Sequence, residues 1–399
     1  MNSNWQTKKL GDVCVIKPPK SEARKTLSSG ELVSFVPMED LGIFTKQFSA
    51  LQERKLKDVS GSYTYFANGD VLMAKITPCF ENGKIGIADG LKNGIGFGSS
   101  EYFVFRPKEE IYSDYLYYFL STDDFREEGR KVMSGAVGHK RVPKEFVENY
   151  EIPLPSKDEQ ERIVKRLDEV FEKVTRAKEA AEKNLQNVKE LFESYLQSVF
   201  TNRGKNWDEQ NLDTLCDIEY GYTDKAKKSG AYRFIRITDT DKDGLLTQEN
   251  KMYVDSFKGV SKYILSNGDL LMARTGASAG HVMFFESDEE SVFASYLIRI
   301  KFKKEIFSKL YWFYSRSKLY WDQVRQLSAG SAQPQFNGGA VKKISFAFPK
   351  FISEQKTIVK KLDELLAETK KLEKIYGQKL ADLEELKKSV LSKAFHAEL

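Results

Sequence analysis

The chain has 399 residues, 41% hydrophobic and 30% charged, which excludes a disordered or low-complexity protein and fits two or three domains of ordinary size. Its 63 basic and 58 acidic residues leave a net charge of +5, too small to announce nucleic acid by itself. No apolar run reaches the about 18–20 residues that cross a bilayer, the opening MNSNWQTKKLGDVC has no apolar signal core, and Cys14, Cys79 and Cys216 are too scattered for a disulfide framework or a C-x-x-C site, so a cytoplasmic, metal-free protein is expected.

In chain order, the first module opens with Trp5 ahead of Leu10-Gly11-Asp12-Val13-Cys14, and residues 34–38 read as a strand. Asn68-Gly69-Asp70 is a turn that feeds the buried strand Val71-Leu72-Met73-Ala74. The run Gly94-Ile95-Gly96-Phe97-Gly98 lacks the following helix and the acidic residue that a dinucleotide loop needs, so it reads as a turn between strands. Residues 115–119 read as a helix whose aromatics pack the core. Pro153 and Pro155 stop the next strand.

A long helix follows, over about Lys157–Thr201. Apolar residues at 163, 167, 170, 174, 177, 181, 185, 188, 192, 195 and 199 alternate steps of three and four, a coiled-coil seam. Ser156 with Glu159 has the spacing of a capping box.

The rest of the chain repeats this plan. Asn267-Gly268-Asp269-Leu270-Leu271-Met272-Ala273-Arg274 repeats Asn68 to Lys75; residues 234–237 read as an earlier strand and 310–314 as the aromatic helix. Trp207 before Leu212-Asp213-Thr214-Leu215-Cys216 echoes the opening. After Pro349 a second helix over about residues 353–395 carries Glu354-Gln355, Ile358-Val359-Lys360 and Leu362-Asp363-Glu364, as the first carries Glu159-Gln160, Ile163-Val164-Lys165 and Leu167-Asp168-Glu169. Its seam runs through 358, 362, 365, 369, 372, 376, 380, 383, 386, 390 and 394, with Gly377 as a loosening point. A helix of about 44 residues is about 65 Å long, and the simplest cover for each seam is the other helix. The expected fold class is therefore α+β: two tandem mixed α/β modules, residues 1–156 and 202–352, separated by two long helices, 157–201 and 353–399, forming an antiparallel coiled coil with pseudo-two-fold symmetry.

The chemistry-bearing motifs are mostly missing. There is no phosphate-binding G-x-x-x-x-G-K-[ST], no H-E-x-x-H, no nucleophile elbow with a plausible His, and no Asn-Pro-Pro-aromatic or Asp-Pro-Pro-aromatic tetrapeptide of an amino-methyltransferase. Asp239-Thr240-Asp241-Lys242-Asp243-Gly244 imitates the start of a calcium loop, but position twelve is Asn250, so an acidic β-turn is expected. What remains is a pair of loops in each copy. Lys75-Ile76-Thr77-Pro78, continuing to Asn82-Gly83-Lys84, matches Arg274-Thr275-Gly276-Ala277, continuing to Ser278-Ala279-Gly280-His281. Residues 134–141, ending His139-Lys140-Arg141, match residues 328–335, Ser328-Ala329-Gly330-Ser331-Ala332-Gln333-Pro334-Gln335. Small polar loops of this kind can approach a phosphate or a base edge closely, with Arg and Lys suited to guanine and Gln to adenine. The candidate contacts are Lys75, Thr77, Lys84, His139, Lys140 and Arg141 in the first copy and Arg274, Thr275, Ser278, Ser331, Gln333 and Gln335 in the second. Residues 1–156 hold 21 basic and 21 acidic residues, residues 201–352 hold 23 and 18, so a nucleic-acid role requires the first module to gather its basic groups on one face.

A proline-ended strand, then Glu-Gln-x-x-Ile-Val-x-x-Leu-Asp, then a long helix, present twice around two dissimilar modules, resembles the specificity subunit of type I restriction–modification systems. Asn-Gly-Asp-Leu-Leu-Met-Ala-Arg-Thr-Gly and Ser-Ala-Gly-Ser-Ala-Gln-Pro-Gln-Phe are similar to segments of that family's target-recognition domains; Val137-Gly138-His139-Lys140 of the first module departs from the pattern. The resemblance implies that each module reads one half of an asymmetric split site in double-stranded DNA, with the helices as a ruler between them. It also implies that two modification subunits and the restriction subunits dock on the chain, that S-adenosylmethionine, ATP and Mg belong to those partners, and that the chain itself binds no cofactor and has no catalytic residue. The rival reading is a coiled-coil adaptor with two protein-binding modules. Under the ruler reading, deleting one heptad from both helices shortens the spacer or abolishes function; unchanged spacing in a binding selection overturns it.

Overall fold

The computed structural model describes residues 5–48, 50, 52–136, 138–303, 305–328, 336–396 and 398. It divides into two compact units, one of Met1–Glu182 with Gln378–Leu399, the other of Lys183–Gly377. Each unit thus takes the start of one long helix and the end of the other. Among the described residues no helix is long and apolar enough to cross a membrane.

In the first unit, Gln6–Lys9 pairs antiparallel with Glu151–Leu154, tying the start of the module to the strand that leads into the long helix. A four-stranded antiparallel sheet follows the order Cys14–Ile16, Tyr102–Pro107, Val71–Ala74, Ile85–Ile87. Val71–Ala74 lies second from one edge and is buried throughout, which is why it reads as an unbroken apolar run. A second four-stranded sheet has the order Gln52–Lys55, Leu32–Val36, Ile95–Gly98, Thr64–Ala67, with its middle pair parallel. The glycine-rich run is therefore mostly strand: Gly94 ends the 3₁₀ turn Lys92–Gly94, and Ile95–Gly98 is a strand in place of the expected turn. A Cβ on Gly96 would collide with the Phe66 ring and one on Gly98 with the Val36 carbonyl oxygen, so the glycines serve close packing between strands.

The second unit repeats this frame. Trp207–Asn211 pairs with Ser345–Pro349, and the four-stranded sheet is Cys216–Tyr220, Leu297–Phe302, Leu270–Ala273, Val282–Phe284. Its other sheet has three strands, Tyr253–Val254, Tyr232–Ile235 and Ser291–Phe293, again with a parallel pair. The strand expected over 234–237 stops at Ile235 because the Asp239 carboxylate takes the Arg236 amide (2.8 Å) and guanidinium (2.7 Å), closing a short 3₁₀ turn, Ile237–Asp239.

The repeated Asn-Gly-Asp turn is braced identically in both units. Gly69 and Gly268 take φ of 85° and 91°, a conformation glycine adopts without steric cost. The Asp70 and Asp269 carboxylates accept from the backbone amides of Ala67 and Ser266, both at 2.8 Å, and pair with Arg106 (2.8 Å) and Arg299 (2.5 Å). Ser113 and Ser308, at the start of the aromatic helices Ser113–Leu120 and Ser308–Tyr314, donate to the carbonyls of Gly69 and Gly268 at 2.6 and 2.7 Å. Those helices are core: Tyr115, Leu116, Tyr311 and Phe313 are fully buried.

The long helices span Lys157–Thr201 and Ile352–Phe395, and Gly377 does not interrupt the second. In the first unit the two segments run antiparallel, because Lys178 pairs with Glu384 at 2.6 Å while Lys387 lies over the Phe171 ring and Leu391 and Phe395 join Ile163 and Leu167 in one core. In the second unit Phe192, Leu196 and Phe200 share one core with Val359, Leu362 and Leu366. The seam departs from strict spacing at three places. Tyr195, Leu372 and Leu386 are exposed, and Leu196 and Phe200 are buried beside the expected 195 and 199. The Glu159 amide donates to Ser156 Oγ at 3.4 Å, while the Glu159 carboxylate pairs with Arg162 rather than completing a capping box.

The Glu-Gln motif has a structural cause. Gln160 and Gln355 are completely buried. Gln160 Oε1 accepts from the Tyr112 amide (3.1 Å) and its Nε2 donates to the carbonyls of Glu110 (2.9 Å) and Pro155 (3.0 Å). Gln355 does the same with the Phe307 amide (2.7 Å) and the carbonyls of Glu305 (3.2 Å) and Pro349 (2.8 Å). Each glutamine satisfies three backbone groups at the joint between long helix and module. Gln355→Ala orphans buried backbone groups at a cost of about 1–3 kcal/mol. The expected outcome is a lower urea midpoint for the second unit, read from its tryptophans.

Candidate nucleic-acid interface

In the first unit the two candidate loops come together as a short antiparallel ladder. The Val142 amide donates to the Lys75 carbonyl and the Thr77 amide to the Lys140 carbonyl, both at 2.9 Å, and Ile76 bridges to Arg141. Lys75, Thr77, His139, Lys140 and Arg141 therefore belong to one surface at the end of strand Val71–Ala74. His139 and Lys140 are exposed, and no described residue accepts a hydrogen bond from either side chain. Thr77 Oγ1 lies 3.2 Å from Glu81 Oε1 and 3.3 Å from the Lys140 carbonyl oxygen. Lys84 is turned away: its ammonium donates to the Met38 carbonyl at 2.6 Å.

Some basic groups of this charge-neutral module lie near enough to shift one another. Burial lowers the Lys75 ammonium, Glu101 opposes that shift, and the neighbouring charges of Lys17 and Arg141 add to it. Lys17 and Arg24 act likewise on Lys20, whose ammonium burial also lowers. Lys75 thus feels both Lys17 and Arg141, and Lys20 feels Lys17 and Arg24. One carboxylate interrupts them. Arg141 lays Nε and Nη2 on Glu101 at 2.9 and 2.8 Å and donates Nη1 to the His139 carbonyl at 2.9 Å.

The second unit builds the equivalent joint, with the Phe336 amide donating to the Arg274 carbonyl at 2.9 Å. Thr275 leads into a single 3₁₀ turn, Gly276–Ser278, and Thr275 and Ser278 are half-buried. Ser278 and His281 line a cavity of about 240 Å³ with Asp241, Lys242 and Met283. Burial holds the His281 imidazole below its usual range, and its ring sits 4.7 Å from that of Trp321. Ser331, Gln333 and Gln335 lie outside the described residues. The calcium-like segment is an acidic turn: Asp241 accepts from the amides of Asp243 (2.9 Å) and Leu245 (2.8 Å). Asp243 binds Arg316 and Lys370, both at 2.9 Å. Burial pushes the Asp243 carboxyl up, but Lys370 and Arg316 outweigh it and hold it below its ordinary value. No group of three or more metal-ligating side chains occurs among the described residues.

A family model for the type I restriction modification DNA specificity domain matches residues 2–186 and 204–383. The chain belongs to that family. Among curated specificity-domain proteins, the EcoAI specificity subunit of Escherichia coli is 39% identical over 189 residues, 46% of this chain and 30% of that protein. The EcoEI specificity subunit of the same species is 33% identical over 226 residues, 54% of this chain and 37% of that protein. The chain thus matches only about a third of the length of those two relatives. The MjaVIII specificity subunit of Methanocaldococcus jannaschii is 23% identical over 420 residues, 98% of this chain and 91% of that one. The fold is shared with the HsdS subunit from Thermoanaerobacter tengcongensis, at a TM-score of 0.67 and 18% identity, covering 100% of this chain and 98% of that one. It is also shared with a chain of the structure reported as "Structural basis underlying complex assembly and conformational transition of the type I R-M system", at a TM-score of 0.80 and 18% identity, covering 100% and 99%.

Four residues of this specificity-domain surface escape a reading of the sequence. Lys17 joins from a distant loop, Glu101 and Tyr296 stand beside the strand-end basic residue, and Tyr220 lies under Arg274. The strand pairings Cys14–Ile16 with Tyr102–Pro107 and Cys216–Tyr220 with Leu297–Phe302 bring in Lys17 and Tyr220, those of Val71–Ala74 with Tyr102–Pro107 and Leu270–Ala273 with Leu297–Phe302 bring in Glu101 and Tyr296, and no local motif marks them. The hydrogen bond from Arg141 holds the Glu101 carboxyl below its ordinary value. A depressed carboxyl contributes stability above its unfolded value, and that contribution is lost as pH falls through the folded value, below about pH 4. Glu101→Gln is therefore expected to cause a small destabilisation at neutral pH that shrinks as pH falls below about 4, measured by urea unfolding across that range.

Proposed function

We propose that this chain is the sequence-specific DNA-binding subunit of a type I restriction–modification complex, reading an asymmetric bipartite site in double-stranded DNA and directing adenine methylation and cleavage by partner subunits. The observation that carries the reading is the loop pair: both units build the same joint at the end of the same buried strand and furnish it with different side chains, Lys75, His139, Lys140 and Arg141 in one and Arg274 in the other. A common frame with dissimilar contact residues is what a reader of two different half-sites needs. Phosphate contacts position such a surface and base edges specify it. The two continuous helices carry the chain from one reader to the other and act as the ruler between half-sites. Two modification subunits and the restriction subunits supply the chemistry, and S-adenosylmethionine, ATP and Mg are theirs; this chain holds no cofactor and no catalytic residue, and works in the cytoplasm.

The deciding experiment is a genome-wide map of methylated adenines in the host with the gene intact and deleted. Loss of one split motif on deletion supports the reading; an unchanged map with partners expressed moves the coiled-coil adaptor to the front. In direct binding, the full chain with its modification subunits should lose DNA affinity steeply with salt. Lys140→Gln is expected to weaken binding evenly across sequences and reduce the salt slope by about one; a salt-independent interaction favours the adaptor.

A further inference from the structure

The same place in the two units is occupied by side chains of opposite character. The Lys75 amide donates to the Glu101 carbonyl at 2.9 Å and the Arg274 amide to the Tyr296 carbonyl at 3.1 Å, so Glu101 and Tyr296 stand at equivalent positions beside the basic residue that leaves the buried strand. In the first unit that position is a carboxylate, and the fork of Arg141 is already laid on it. In the second unit it is a phenol ring, 58% exposed, which leaves the neighbouring arginine without a carboxylate: no described residue accepts a hydrogen bond from the Arg274 guanidinium, and its Nε is buried without a partner.

Arg274 is nevertheless held in place. Its guanidinium carbon lies 5.4 Å from the centre of the Tyr220 ring, within the range at which a cation is attracted to an aromatic face. Tyr220 is fixed in turn. Its backbone pairs with Ile298 in the four-stranded sheet, and its hydroxyl accepts from the Gly338 amide at 3.0 Å. A planar fork of donors, seated on a ring and lacking an acceptor, matches the paired O6 and N7 acceptors of guanine in the major groove. A lysine at that position would offer only a mobile point charge.

We propose that Arg274, oriented by the Tyr220 ring, is the guanine-reading residue of the second unit, and that Arg141, neutralised by Glu101, does not play this part in the first. The proposal rests on the DNA-recognition reading above. Arg274 would touch the base; Tyr220 acts through it as a positioning residue.

The test is a selection from randomised duplexes by the full chain with its modification subunits, wild type against Arg274→Lys, Arg274→Gln, Tyr220→Leu and Tyr220→Phe, with urea midpoints confirming that each variant folds. Wild type is expected to require a guanine at one position of the half-site bound by the second unit. Arg274→Lys keeps the charge and loses the fork, so discrimination at that position should fall about five- to 150-fold while the other half-site is unchanged. Tyr220→Leu should relax the same position, and Tyr220→Phe, which keeps the ring, should retain it. The proposal is overturned if Arg274→Lys leaves the motif intact, or if Arg274→Gln weakens all sequences equally and lowers the salt slope by about one, the behaviour of a phosphate contact. A wild-type chain that enriches no motif and binds without salt dependence overturns the DNA-recognition reading itself, an outcome distinct from either.

Discussion

Gln160 and Gln355 are the side chains on which each long helix hangs. A buried amide that found no partners would cost more than it contributes, and here each amide is used by three backbone groups that belong to the module, the strand exit and the helix entry. The helix axis therefore leaves each module in a set direction. Everything on the sheet is referred to that joint, because the aromatic helix that packs against the sheet begins where the glutamine binds: Tyr112 and Phe307 immediately precede Ser113–Leu120 and Ser308–Tyr314. The serines at those starts brace the Asn-Gly-Asp turn, and the turn delivers the buried strand whose far end carries Lys75 or Arg274. A short chain of hydrogen bonds thus leads from the helix to the candidate contact residue.

That chain explains which parts of the repeat are strict and which are loose. The turn, the strand, the aromatic helix and the Glu-Gln helix start recur together, tied by the hydrogen bonds of the buried glutamine, the helix-start serine and the turn aspartate. The second sheet lies outside the set and differs freely, with four strands in one unit and three in the other. The loops lie outside it too, and there the two units diverge in charge, in glycine placement and in the residue beside the strand end.

Much of the frame was legible because it obeys local rules: the turn by its Asn-Gly-Asp, the buried strand by its unbroken apolar run, the long helices by their seam. Sequence pattern and structure part where a tertiary contact decides the outcome. Gly94 to Gly98 looks like a turn by composition, but only Gly94 lies in one; Ile95–Gly98 is a strand whose Gly96 and Gly98 face the Phe66 ring and the Val36 carbonyl, where there is no room for side chains. The strand through Phe234 ends early because Asp239 captures Arg236. The seam slips at Tyr195 because Leu196 and Phe200 are drawn into the second unit's core. At the candidate interface the repeat marks the loops themselves, but Lys17 and Tyr220 reach them through strand pairings between residues about 80 to 90 positions apart, and Glu101 and Tyr296 through pairings 26 and 22 positions apart, separations that no single-sequence pattern encodes.

The division of each long helix between two units has a consequence for synthesis. The core of the first unit includes Leu391, Ala394 and Phe395, with the Phe395 ring 5.1 Å from that of Tyr115 and 5.3 Å from that of Phe119. Those residues are translated after every residue of the second unit, Lys183–Gly377. The unit that emerges from the ribosome first therefore closes last. Until it does, it presents an open aromatic slot, so a nascent or prematurely ended chain is exposed to aggregation through its N-terminal half, not its C-terminal half.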